Sequence, residues 1–181
     1  AFDLPEVRAL RANFDEWIKK ARTDSVELRY LLRDYVTILL DTGMRPGTEI
    51  NELTWGQIEI KLFPKSEPAN LAPEHVDPNL PPTPDDLVWI HNNVTAIIKI
   101  RKGKTGSRDC VGRSPAVGAL REIAKRNFGE DLEVVIKKYP KEKIVAYREI
   151  VTKRQKDKDR KPTLKKPTSF SRLFDTYLEE H

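Results

Sequence analysis

Apolar residues recur at helical spacing through the first forty positions of the chain. Val7, Leu10, Phe14, Trp17 and Ile18 fall on one stripe, which predicts an amphipathic helix from Pro5 to about Arg22. Asp24, with Glu27 three residues later, has the form of a capping box for a second helix. Leu28, Leu31, Leu32, Tyr35, Val36 and Leu39 carry that helix to Asp41, and Gly43 supplies a left-handed terminus. A short third helix from Thr48 to Leu53 buries Ile50 and Leu53. The period then changes to two: Ile58, Ile60 and Leu62 predict a strand over 55–62. Residues 63–84 hold seven of the thirteen prolines and read as a long extended loop, bounded at about 63–86. Strand patterns return at Leu87–His91 and Val94–Arg101. Gly103 to Gly106 reads as a tight turn, and Arg108–Arg113 as the returning strand. Ser114 reads as an N-cap with Pro115 at N1, opening a helix that Gly129 closes.

Beyond Gly129, residues 132–138 and 143–152 fit helix or strand equally. Residues 152–167 are too charged to bury, and a flexible segment is expected there. Phe170, Leu173, Phe174, Tyr177 and Leu178 form the apolar face of a last helix over 168–180. The fold class that follows is α+β, mainly α: a helical domain with a small antiparallel three-stranded sheet at one edge. Residues 1–24 form its leading helix.

Composition narrows the chemistry. Of 181 residues, 34 % are charged, mean hydropathy is −0.60, and no apolar run approaches the roughly 18 residues a membrane span requires. A single cysteine, Cys110, excludes an intrachain disulfide and a cysteine-based zinc site. No secretory signal is visible, so a cytoplasmic protein without membrane contact is expected, and no metal or cofactor is called for. The net charge of +5 is concentrated: residues 152–166 carry eight Lys/Arg against two Asp, and residues 99–113 six against one. Segregation of this kind suits a polyanion, and a solvated charge run is the plain alternative for the lysine-rich tail. Arg101, Lys102, Arg108, Lys153, Arg154 and Lys156 are the candidate DNA contacts. The proline-rich loop carries Glu67, Glu74, Asp77, Asp85 and Asp86, so it is not expected to face DNA.

Two stretches carry the candidate chemistry. Asp41-Thr42-Gly43-Met44-Arg45-Pro46-Gly47-Thr48-Glu49 joins two helices through a basic elbow, with Thr48 a natural N-cap. Pro46 restrains the backbone beside Arg45, whose planar guanidinium suits phosphate. Downstream, Arg101-Lys102-Gly103-Lys104-Thr105-Gly106-Ser107-Arg108 places cations on a hairpin turn. An ammonium there can protonate a departing oxygen.

Thr42, Gly43, Met44, Arg45, Leu53 and Trp55 resemble the first active-site box of tyrosine recombinases, the phage-integrase family. The basic hairpin is similar to the family's lysine-bearing turn, Lys104 being the best match and Lys102 the alternative. The resemblance implies a tyrosine that attacks a DNA phosphate and forms a phosphotyrosine, with no metal or cofactor. Arg45 would clamp the phosphate, Lys104 would protonate the leaving oxygen, and Glu49 or Thr48 would orient Arg45 from behind. The chain carries one extra residue in the elbow relative to the family spacing. The resemblance further implies double-stranded DNA as partner, a homotetramer on DNA for the full-length protein, and a bacterial or phage-encoded, nucleoid-associated setting.

The family's remaining residues are not found. His75, His91 and His181 lack an arginine three positions on, and Tyr30, Tyr35, Tyr139, Tyr147 and Tyr177 do not stand where the nucleophile belongs. The expectation is therefore a truncated catalytic domain whose His-x-x-Arg box and nucleophile lie elsewhere, a fragment that binds DNA weakly and does not cut it. A non-catalytic DNA-binding module is the alternative. A metal-dependent nuclease using Glu49 or Asp109 lacks the compact acidic pair it would need. An RNA-binding sheet would need exposed aromatics, which the hairpin does not offer.

Overall fold

In the computed structural model, residues 4–62, 94–101, 106–148, 164–167 and 170–180 are described. The elements in order are α1 (Leu4–Lys19), α2 (Val26–Thr42), α3 (Thr48–Asn51), a 3₁₀ turn (Trp55–Gln57), β1 (Ile58–Leu62), β2 (Val94–Ile100), β3 (Arg108–Gly112), α4 (Ser114–Phe128), α5 (Leu132–Lys138), β4 (Tyr147–Arg148), β5 (Leu164–Lys165) and α6 (Phe170–Glu180). The class is α+β, mainly helical, with a three-stranded antiparallel sheet in the order β1-β2-β3.

Each helix buries the stripe its sequence carries. Leu10, Phe14, Trp17 and Ile18 of α1 are buried, with Val7 half-buried. α2 is the hub: Leu31, Leu32, Tyr35, Val36 and Ile38 are buried, and the helix packs on α1, α4, β3 and α6. On β2, Val94, Ala96, Ile98 and Ile100 alternate inward, so one face of the sheet closes the helical core. Ile98 lies opposite Ile58 on one side and Cys110 on the other.

The outermost helices share one aromatic cluster. The Tyr177 ring of α6 stacks on Phe14 at 4.4 Å and meets Trp17 edge-on at 5.1 Å. Its hydroxyl donates to the Leu10 carbonyl. Leu178, expected on the apolar face, is instead 42 % exposed, because Tyr177 occupies the contact with α1.

Several local expectations are corrected. The Asp24–Glu27 capping box does not form. Ser25 is the N-cap of α2, its hydroxyl donating to the Arg22 carbonyl instead. Trp55–Gln57 is a 3₁₀ turn before β1, closed by the Gln57 amide oxygen, which accepts from the Thr54 N–H at 3.0 Å. The last described pair of the hairpin is Ile100 with Arg108, and of the turn expected at 103–106 only Gly106 lies within the described residues. α4 begins at Ser114, with Arg113 at the N-cap, because a carboxylate from another helix does the capping: Asp41 Oδ2 accepts from the Arg113 N–H at 2.6 Å and the Ala116 N–H at 3.3 Å. Residues 132–138 resolve to helix. The second ambiguous segment yields β4, which pairs antiparallel with β5. Leu164 and Lys165 are thus ordered by strand pairing inside the segment expected to be flexible. The proline-rich loop and the strand expected at 87–91 lie outside the described residues.

Two features fix the helix layers. Gly112 sits where a Cβ would meet Ala116 Cβ at 2.8 Å and Thr42 Cγ2 at 3.2 Å, so β3 turns into α4 directly against the end of α2. Deep between α2 and α4, the Asp34 carboxylate accepts from Arg33 Nε at 3.0 Å and from Arg126. Burial pushes the Asp34 carboxyl above its ordinary value in spite of the two guanidiniums beside it. Arg126 also reaches Glu27 at 3.7 Å and Glu122 at 3.6 Å. Removing Arg126 leaves three carboxylates with less compensation, one of them buried. Arg126→Ala is therefore expected to cost about 3 kcal/mol, measured by urea unfolding, with Arg33 keeping the loss at the low end of the range for a broken buried pair.

Candidate nucleic-acid interface

The elbow is built residue by residue from the sequence Thr42 to Glu49. Gly43 takes φ +65°, and its N–H reaches the Leu39 carbonyl, ending α2. The Thr42 hydroxyl donates to the Ile38 carbonyl at 2.6 Å and accepts from the Met44 N–H at 3.3 Å. Met44 is buried and anchors the turn. Gly47, at φ +97°, is the N-cap of α3, one residue earlier than the expected Thr48, and its N–H donates to the Tyr35 hydroxyl at 3.3 Å. A positive φ at this position requires glycine. Arg45 itself is exposed, and among the described residues its guanidinium has no hydrogen-bond or ion-pair partner.

Glu49 joins this elbow to the hairpin. Its Oε2 accepts from the backbone N–H of Arg45 at 3.0 Å and from Arg108 Nη2 at 2.8 Å. The Glu49 side chain is only 4 % exposed. Glu49, expected to orient Arg45, holds its backbone N–H, and the Arg45 charge helps to keep the carboxyl low. Thr48 is exposed, and its hydroxyl makes no hydrogen bond among the described residues. Arg108, expected on DNA, spends its Nη2 on Glu49.

A cleft of about 160 Å³ runs between α3 and the hairpin base, lined by Thr48, Glu49, Glu52, Gln57, Ile100, Arg101 and Lys143. It brings Arg101 next to the elbow. Gln57 fixes the hairpin from below by donating to the Lys99 carbonyl at 2.7 Å. Lys143 is held by Glu52, donating to its carboxylate and, at 3.0 Å, to its carbonyl. Lys166 reaches the same carboxylate at 3.8 Å. Lys102, Lys104, Lys153, Arg154 and Lys156 lie outside the described residues.

A larger cleft of about 450 Å³ opens between α1, α2 and α4. Asp15, Arg33 and Asp34 in its wall are tied to one another, so it offers structural ion pairs and not convergent free cations. Among the described residues, no group of three or more His, Cys, Asp or Glu side chains could hold a metal ion, and no helix is long and apolar enough to cross a membrane. Compared with known protein families, curated proteins and solved structures, the chain has no match.

Sequence reasoning missed Asp41, Gln57, Glu52 and Lys143. The Thr54-x-x-Gln57 spacing was a readable capping box. The other three act on residues about 72 or more positions away, and no local pattern announces them.

The Glu49 carboxyl is held below its ordinary value, chiefly by the Arg45 N–H and then by Arg108. A carboxyl depressed in the folded state contributes stability above its unfolded pKa and loses it as pH falls through the folded value. The melting temperature should therefore fall as pH drops below about 4.3, the ordinary glutamate value. Glu49→Gln should flatten that fall relative to the wild type, as followed by thermal melts across the acid range.

Proposed function

We propose that the chain is the front part of a DNA-cleaving and -rejoining domain of the tyrosine-recombinase kind. The observation that carries this reading is the Glu49 carboxylate, which ties the Arg45 elbow to the stem of the basic hairpin. A free guanidinium at the elbow and a cation-rich hairpin are thereby held to one region of the surface, with Arg101 in the cleft between. A duplex phosphate placed there meets Arg45 as a bidentate donor. Lys104, on the hairpin turn, is the proposed acid.

In the proposed reaction a tyrosine hydroxyl gives up its proton to solvent and attacks the scissile phosphorus, and the bond to the 5′ oxygen breaks. Arg45 stabilises the charge on the pentacoordinate phosphate, and Lys104 gives its proton to the leaving 5′ oxygen. The tyrosine is not one of those described. Tyr177 and Tyr35 are buried with their hydroxyls engaged, and Tyr30, Tyr139 and Tyr147 pack against the core. On its own the chain is therefore proposed to bind duplex DNA without cutting it, which also accommodates a non-catalytic binding module. A homotetramer on DNA, in a bacterial or phage setting, belongs to the same proposal for the full-length protein.

Binding of a 30-base-pair duplex should weaken with salt. Arg45→Ala should lower affinity about fivefold, as expected for one exposed ion pair, with the salt slope falling by about one. Arg8→Ala on the exposed face of α1 should do neither. Equal affinity of Arg45→Ala and wild type, by fluorescence anisotropy, sinks the phosphate role. In a protein that includes the nucleophile, Arg45→Ala should abolish strand cleavage. Lys104→Ala should slow it, while sparing a substrate whose leaving group needs no proton.

A further inference from the structure

We infer that Arg108 is a positioning residue for the Arg45 elbow, acting through Glu49, and not a contact to the DNA backbone. Hydroxyls of Thr42 and Tyr35 accept from the Met44 and Gly47 amides of the elbow, and at Arg45 itself the backbone N–H is held by Glu49 Oε2. That acceptor is a buried carboxylate, and a buried carboxylate needs a countercharge to remain ionised and in place. Among the described residues, Arg108 is the one cation within ion-pair distance of it, at 2.8 Å. Arg108 opens β3 directly after the hairpin connection and lies opposite Ile100, so the countercharge comes from the hairpin itself.

The unused atoms of the pair point the same way. Glu49 Oε1 and Arg108 Nε are both buried and have no hydrogen-bond partner among the described residues. A guanidinium can offer Nε and a terminal nitrogen side by side to the two oxygens of one carboxylate, whereas an ammonium offers one compact charge. The pair is therefore built for arginine, with a second arm of the fork available. Arg108 is still 38 % exposed, but the nitrogen bonded to Glu49 is already spent. The depressed Glu49 carboxyl accords with two donors converging on Oε2.

The backbone part of this inference stands by itself, and the DNA part rests on the phosphate role proposed for Arg45. Amide hydrogen exchange tests the first. The Arg45 amide is compared with the Gly43 amide, which is bonded to the Leu39 carbonyl and serves as an internal reference. Arg108→Ala and Glu49→Ala should each speed Arg45 exchange about tenfold, the scale of losing one local protecting bond. The double variant should add nothing to either single one. Arg108→Lys should restore part of the protection. Unchanged Arg45 exchange in Arg108→Ala overturns the inference, and so does a Gly43 amide that speeds up equally, since that reports general loosening.

Duplex affinity tests the second part. Arg108→Ala should weaken binding in the wild-type background and have no further effect in the Arg45→Ala background. An additive loss, with the salt slope falling by about one more, makes Arg108 a direct phosphate contact and overturns the inference. Loss of Arg45→Ala sensitivity sinks the phosphate reading alone, and the exchange result then decides the role of Arg108.

Discussion

Asp41 is the constraint on which the arrangement turns. Its carboxylate stands in the last turn of α2, where the helix dipole disfavours an anion, yet it accepts the first free amides of α4, where the dipole favours one. The unfavourable placement at one helix end is offset by the favourable placement at the other. Gly112 lets the chain approach closely enough for this, because any side chain there would strike Ala116 and Thr42. The elbow leaves α2 just after Asp41, and the hairpin stem ends just before Arg113. Both are thus referenced to one junction.

The two well-buried carboxylates show how surroundings divide labour between similar groups. Asp34 has two guanidiniums and is still pushed towards its neutral form, since it lies deep between helices. Glu49 accepts a backbone amide and one guanidinium near the surface and is held in its charged form. The first belongs to the packing of α2 on α4. The second sits where a fixed negative charge can organise cations around a cleft without cancelling the exposed Arg45. Around this cleft Arg108 and Lys143 are held by Glu49 and Glu52, while the Arg45 guanidinium has no partner among the described residues.

The helices and the sheet were legible because their signals are local. Periodicity marked α1 and α2, alternation marked β2, and Gly43 and Gly129 marked two termini that adopt left-handed backbone as expected. Start signals fared worse. Thr48 and Ser114 both read as N-caps, yet Gly47 and Arg113 hold those positions, the former through its turn geometry and the latter because Asp41 arrives from another helix. Arg45 was legible as an exposed cation on a rigid turn. The partnership of Arg108 with Glu49 was not, since it spans 59 residues and depends on how the hairpin docks. The same distance effect hid Lys143 and Glu52, which are 91 positions apart.

The aromatic cluster of Phe14, Trp17 and Tyr177 bears on how the chain reaches this state. Leu10 and the hydroxyl that caps its carbonyl are separated by 167 positions. Closing so long a loop is entropically slow, and contacts of this range form late. Until α6 docks, the Trp17 and Phe14 rings lack their third partner, so any folding intermediate without α6 leaves the apolar stripe of α1 partly uncovered.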